Sequence, residues 1–256
     1  MLKTMTTMSE QTRKLRSPLG ANFRDRLIVV LVSTRNPLNI GAAARAMSNF
    51  GFSRLRVVNP YEIAFEEARS AVGATNLLKT AERFRIVADA VADCSLVVGT
   101  TAARNRKLDH ELLPIEKGAA AIRKRAGRIA LLFGSEKRGL SNADLSHCHS
   151  VLRIPTEKSH PSMNLGQAVA ICLYELVRSG NIAAKNQKYP LANSASLDRL
   201  TELLSDALNF AGYMSTGAGA ISEQKMRRFV RRLHLSEEDA TLLSGMLRQM
   251  LWKMQS

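Results

Sequence analysis

The sequence predicts an α/β chain, a mostly parallel sheet with helices on its faces, followed by a small all-helical unit. From Arg26 to Arg178, short β-branched runs alternate with stretches at helical spacing, the pattern of strand–helix–strand crossovers. After a polar stretch containing a proline, apolar residues recur at helical spacing alone. The predicted organisation is a flexible basic tail over 1–25, an α/β domain over 26–180, a linker over 181–196 and a helical domain over 197–256.

Each element has its own signal. LIVVLVS, Leu27 to Ser33, predicts a strand buried on both faces, and no apolar run approaches the roughly 18–20 residues of a membrane span. A helix from Ile40 to Phe50 follows, with Asn39 suited to cap it. Then come a strand at Arg54 to Asn59, a helix around Ala64 to Val72, a helix at Arg85 to Cys94 and a strand at Ser95 to Thr100. A helix at Pro114 to Ala126 precedes strands at Arg128 to Gly134 and Val151 to Pro155. Asn164 to Arg178 is apolar on most sides and stops at Ser179-Gly180, which predicts a buried helix. Past the linker, Ser196 to Tyr213 and Ser236 to Met254 read as helices joined through a basic one, Ser222 to Leu235. Met246, Met250 and Met254 read as core packing.

Charge narrows the partner. Lys+Arg 37 against Asp+Glu 22 gives a formal net charge of +15, which points to an acidic polymer. The basic helix carries Lys225, Arg227, Arg228, Arg231 and Arg232 between Met226, Phe229, Val230 and Leu233, so it is expected to dock on a core and offer cations outward. A merely solvated basic face is the alternative. The N-terminal residues are basic and Ser/Thr-rich without the apolar run of a secretory signal; they read as a phosphate-attracting tail, with an organellar transit peptide as the compositional alternative. Cys94, Cys148 and Cys172 are odd in number and scattered, which argues for a reducing compartment, the cytoplasm. His147-Cys148-His149 invites a metal, but neighbours in a strand face opposite ways and no second ligand pair stands at zinc spacing, so no metal is expected.

A parallel sheet invites a nucleotide, yet neither GxGxxG nor GxxxxGK[ST] occurs. Polar loops stand at the strand ends instead: STRNPLN, GTTAARN, GSEKRGLS and IPTEKSHPSMN. Ligands of open α/β sheets collect at the carboxyl ends of strands, so these loops are the expected pocket. Arg45 sits alone among Ala, Met and Phe, a turn and a half past Asn39, as a surface cation or as a functional one.

Taken together, three stretches resemble the SPOUT methyltransferases of the SpoU/TrmH class, specifically the TrmJ-like group. NPLNIGAAARAMSNFGFSRLRVVNP matches its first motif through Asn39 and Arg45. LLFGSEKRGLSNADLSHCHSVLRIP matches FGxExxGL through Gly134, Glu136, Gly139 and Leu140, and SMNLGQAVAICLYE matches the third through Ser162 and Asn164. The resemblance implies a sheet closed by a deep C-terminal trefoil knot, a bent S-adenosylmethionine in that knot, and a homodimer with active sites at the interface. It implies an RNA ribose 2′-O-methyltransferase, with cytidine or uridine at position 32 of the tRNA anticodon loop as substrate. Ribosomal RNA, or a catalytically silent RNA-binding protein, are the alternatives.

Carried over, the cofactor loops are Gly99, Thr100, Thr101 and Ala102; Gly134, Ser135, Glu136 and Gly139; and Ile154, Ser162, Met163, Asn164 and Leu165. A guanidinium is a poor proton acceptor, so Arg45 is expected to bind the target phosphate and O2′ and stabilise developing charge. Asn39 orients Arg45 or the ribose, and Ser162 and Asn164 hydrogen-bond substrate or the arginine. Glu136 fixes the second loop and can pair with Arg45 as part of the catalytic set, with a purely structural loop acid as the alternative. Arg35 and Arg104, in loops after predicted strands, join Lys225, Arg227, Arg228, Arg231 and Arg232 as expected RNA contacts. His160 reads as incidental.

Overall fold

The computed structural model describes residues 23–70, 76–102, 110–157, 159–178, 189–213 and 219–255. In chain order the strands are β1 (Leu27–Val32), β2 (Arg54–Val58), β3 (Glu82–Phe84), β4 (Leu96–Thr100), β5 (Leu112–Pro114), β6 (Ile129–Phe133) and β7 (Ser150–Arg153). The helices are α1 (Phe23–Arg26), α2 (Pro37–Phe50), α3 (Glu62–Ser70), α4 (Asn76–Lys79), α5 (Val87–Val91), α6 (Ile115–Arg123), α7 (Asn142–Ser146), α8 (Leu165–Arg178), α9 (Ser194–Phe210), α10 (Gly219–Arg232) and α11 (Glu237–Gln255).

The strands form one seven-stranded parallel sheet in the order β3-β2-β1-β6-β4-β7-β5. Its centre is β1, buried at all six positions, with Val29 opposite Leu55 on one side and Leu131 on the other. The period of two divides the core. Leu27, Val29 and Leu31 join residues of α2, α3, α6 and α8 on one face; Ile28, Val30 and Val32 join α5 and α7 on the other. β3 and β5 escaped the sequence reading because they are three-residue edge strands without an alternating pattern, placed by pairing with β2 and β7.

One boundary needs correcting. Asn36, not Asn39, caps α2: its side chain accepts from Leu38 N at 2.9 Å, with Pro37 opening the helix and Gly51 closing it at φ +75°. Packing also extends before Arg26: Phe23 of α1 lies edge-on against Phe52 at 6.3 Å and Arg24 Nε donates to Phe50 O at 2.9 Å. Against α2 lies α8, so closely that a Cβ on Gly166 would stand 2.5 Å from Ala42 Cβ.

The last three helices enclose a small core of Ala192, Leu197, Leu200, Val230 and Ala240. α9 begins within the predicted linker, capped by Asn193, and its first residues donate to the sheet side: Ser194 N to Cys94 O at 2.9 Å and Ala195 N to Ala92 O at 3.0 Å. Arg231 overturns its expected outward role. It is 0% exposed, donating to His147 O at 2.8 Å and Asp198 Oδ1 at 3.0 Å, acceptors that offset part of the desolvation of its guanidinium, while Nη1 has no hydrogen-bond partner among the described residues. Arg227 joins it on the same face, donating to Ser146 Oγ at 3.0 Å. Met246, Met250 and Met254 are about half exposed, since α11 turns Ala240, Leu243 and Leu247 inward instead. Among the described residues no helix is long and apolar enough to cross a membrane.

The His-Cys-His stretch is a helix end and a turn, not a strand. His147 closes α7, and His149 Nδ1 accepts from Val97 N at 3.1 Å. Burial, reinforced by Arg231, pushes both imidazoles down to about 3. Both are therefore neutral when folded, while unfolded they bind a proton near pH 6.5. Their contribution is complete above pH 6.5 and is lost as pH falls toward 3, by about 1.4 kcal/mol per pH unit for each histidine. Asp93, held well below the usual carboxylate range by Arg56, adds its loss only below about pH 3.8. Urea melts between pH 6.5 and 4.5 should show falling stability in the wild type and a shallower slope in His149→Gln. Equal stability across that window would contradict the neutral, buried state.

Candidate active site

Three loops meet at the carboxyl ends of β4, β6 and β7 around a cavity of about 400 Å³. Thr100, Thr101 and Ala102 follow β4, Gly134 to Leu140 follow β6, and Ile154, Thr156, Pro161, Ser162, Met163 and Leu165 follow β7. Parallel pairing puts these strand ends side by side, which makes the crevice where ligands of open α/β sheets bind. The loop after β6 folds back tightly. Gly139 N donates to Ser135 O at 2.7 Å, and Gly139 has φ +65°. A Cβ on Gly134 would lie 2.0 Å from the Gly139 carbonyl carbon, so that position admits hydrogen alone.

A chain of hydrogen bonds joins all three motifs. Gly166 N donates to Asn164 Oδ1 at 2.9 Å, Asn164 Nδ2 donates to Asn39 Oδ1 at 2.7 Å, and Asn39 Nδ2 donates to Glu136 Oε1 at 3.0 Å. Every donor is matched with an acceptor, and the direction fixes both amide orientations. Asn39, in the first turn of α2, thus works as the junction of three loops. Glu136 accepts from Asn39, and no bond between Glu136 and Arg45 is present among the described residues.

Thr100, Thr101, Ala102, Gly134, Ser135, Glu136, Gly139, Ile154, Ser162, Met163 and Leu165 line the cavity; Gly99 and Asn164 do not. Gly99 lies beneath it: a Cβ there would meet Leu145 Cδ2 at 2.9 Å and Cys148 Sγ at 3.1 Å, so its absence lets α7 pack on β4. Arg45 stands apart. It is exposed, makes no hydrogen bond or ion pair among the described residues, and is absent from the cavity lining. Six positions after Asn39, it lies about 240° further round the helix, in one stripe with Leu38, which is 80% exposed. Arg35 is exposed after β1, Lys225 and Arg232 are exposed on α10, Arg228 is half-buried there, and Arg104 lies outside the described residues. Lys137 and Arg138 went unassigned although they line the cavity; two adjacent cations at the open positions of FGxExxGL were the available signal. His160 is exposed with its Nδ1 3.0 Å from Ser159 Oγ. Among the described residues no group of three or more His, Cys, Asp or Glu is gathered to hold a metal.

Residues 26–174 match the model of the SpoU rRNA Methylase family. The chain belongs to this family. It is 35% identical over 230 residues to a tRNA (cytidine/uridine-2′-O-)-methyltransferase TrmJ of Sodalis glossinidius, covering 86% of this chain and 89% of that one. It is 33% identical over 240 residues to the Pseudomonas aeruginosa tRNA (cytidine/uridine/adenosine-2′-O-)-methyltransferase TrmJ, covering 87% and 93%. Among solved structures, TrmJ from Z. mobilis ZM4 superposes with a TM-score of 0.75 at 30% identity, covering 87% of this chain and 98% of that one.

SpoU methylases take their methyl group from S-adenosylmethionine. The cavity fits that molecule in size and lining, because apolar side chains of Leu140, Leu152, Ile154, Met163 and Leu165 can cover a flat base while loop main chain supplies polar groups. A methyl group at residue 134 would force the loop after β6 open. Gly134→Ala should therefore weaken S-adenosylmethionine at least about tenfold by calorimetry, since misplacement by an ångström is costly in such a site. Unchanged affinity would show that this loop does not shape the cofactor site.

Proposed function

We propose that this SpoU methylase is a tRNA ribose 2′-O-methyltransferase, acting on cytidine or uridine at position 32 of the anticodon loop as a homodimer in the cytoplasm. The convergence of three distant motifs on one cavity through the Asn164–Asn39–Glu136 chain is the observation that carries it. The TrmJ relatives supply the substrate class, and their matches run past the methylase region into the C-terminal helices. The knot is part of the proposal, with 154–164 as the threaded segment, and so is the division into a methylase domain and an all-helical RNA-binding one.

S-adenosylmethionine supplies an electrophilic methyl group on a sulfonium when bound. The remaining work falls to the chain: holding the ribose hydroxyl in line, donating to its developing negative charge, and letting one proton leave. Asn39 and Asn164 fix the loops, while Ser162 offers a hydroxyl at the cavity. Arg45 has unspent donors for O2′ and its phosphate, a fork that Lys lacks. Its outward direction supports a two-chain site, with Arg45 of one protomer serving the cavity of its partner. The exposed Leu38, Ile171 and Tyr174 along α2 and α8 give such a contact an apolar surface.

The test is transfer of labelled methyl groups to tRNA and rRNA, followed by nucleoside analysis. Arg45→Ala and Arg45→Lys should each lose roughly 10²–10³ in kcat with cofactor affinity intact. Mixed dimers of Arg45→Ala with Gly134→Ala subunits should regain activity, because one of their two sites is then complete. Label confined to rRNA would replace the substrate; no regain in mixed dimers would place Arg45 in the site of its own chain.

A further inference from the structure

The carboxyl edge of the sheet carries a second feature, outside the cavity. Directly after β1 and β2, Ser33 and Asn59 adopt left-handed backbone at φ +52° and +48°, though neither is glycine. They hold each other there: Asn59 Nδ2 donates to Ser33 Oγ at 3.1 Å, and Ser33 N donates to Val58 O at 2.9 Å. Beyond these paired turns Arg35 Cζ lies 5.5 Å from the centre of the Tyr61 ring. Tyr61 is 43% exposed, Arg35 is exposed, and neither side chain has a hydrogen bond or ion pair among the described residues. The Asn59–Ser33 bond secures the turns without either of them.

We propose that Tyr61 and Arg35 form a stacking subsite for an unpaired nucleobase next to the nucleotide that enters the cavity. The proposal rests on the RNA reading above. Aromatic rings and guanidinium planes are the surfaces on which unpaired bases stack, because every base has a π-face. The placement fits. β1 neighbours β6, whose loop lines the cavity, and β2 lies one strand further. Adjacent strands stand about 4.8 Å apart, so β1 and β2, which lead into the subsite, lie roughly 5 and 10 Å from β6, a span one or two nucleotides bridge. Lys137 and Arg138 of the loop after β6 are exposed and without partners among the described residues, suited to the phosphates of that bridge.

The test uses the full chain and an anticodon stem-loop carrying 2-aminopurine at each loop position beside the methylated one. Binding to wild type should quench one of these positions, and Tyr61→Leu should relieve the quenching. In methyl transfer, Tyr61→Leu should raise the KM for RNA roughly 5- to 100-fold with kcat within about threefold, while Tyr61→Phe stays within about twofold. Cofactor affinity and melting temperature should not move. Wild-type KM and wild-type quenching in Tyr61→Leu would overturn the subsite. A wild type that methylates no tRNA would sink the enzyme reading instead, and the fluorescence would still decide: quenching lost in Tyr61→Leu upholds the subsite, and equal or absent quenching in both proteins removes it.

Discussion

One side-chain amide holds the site together. Asn39 donates and accepts on a single planar group, so it takes a hydrogen bond from Asn164 and gives one to Glu136 at the same time. Aspartate could not donate, and serine lacks the reach to span two loops. The partners lie 97 and 125 residues away in sequence, so this amide ties together segments that the chain itself keeps far apart. Because Asn164 Oδ1 also accepts from Gly166 N, the chain ends in the first turn of α8, and the positions of α2, α8 and the loop after β6 become interdependent.

The C-terminal helices attach to the same structure from its other face. Arg231 reaches His147 O just past α7, and α7 directly follows the cavity loop and packs through Leu145 over Gly99. A buried ion pair of this kind adds little net stability, since desolvation offsets attraction, but losing Asp198 would strand a guanidinium at a cost of about 3–5 kcal/mol. Its contribution is a fixed seat. The exposed cations Lys225 and Arg232 are thereby held at a set position relative to the cavity.

Burial explains what was legible in the sequence. β1 and β6 stand out because strands covered on both faces are apolar throughout, and β2, β4 and β7 because each carries a buried run of Val and Leu, whereas β3 and β5 are specified by their neighbours. The cap of α2 was readable in Asn36-Pro37, a stronger signal than Asn39. The helical wheel held a clue to Arg231: Arg227, Val230 and Arg231 fall on one stripe, three and four residues apart, and Val230 belongs to the core. Likewise Ala240, Leu243 and Leu247 mark the inner face of α11, so the methionine stripe had to face elsewhere. The Asn39–Glu136 bond had no local signal, because it depends on how two crossovers return to one sheet edge.

The arginines of this chain show why residue type alone did not assign their roles. Arg56 spends its donors on Asp93 and Ala90 O, Arg123 donates to Glu175 O, and Arg231 donates to His147 O and Asp198. Each is nearly fully buried, and desolvation forces its guanidinium to find acceptors within the protein. A guanidinium buried in that way is out of reach of a ligand. Arg45 lies on an alanine-rich helix, where small neighbours offer no acceptor and the stripe with Leu38 faces outward. Its donors remain available to an anion, which is the condition a phosphate- and oxyanion-binding group has to meet.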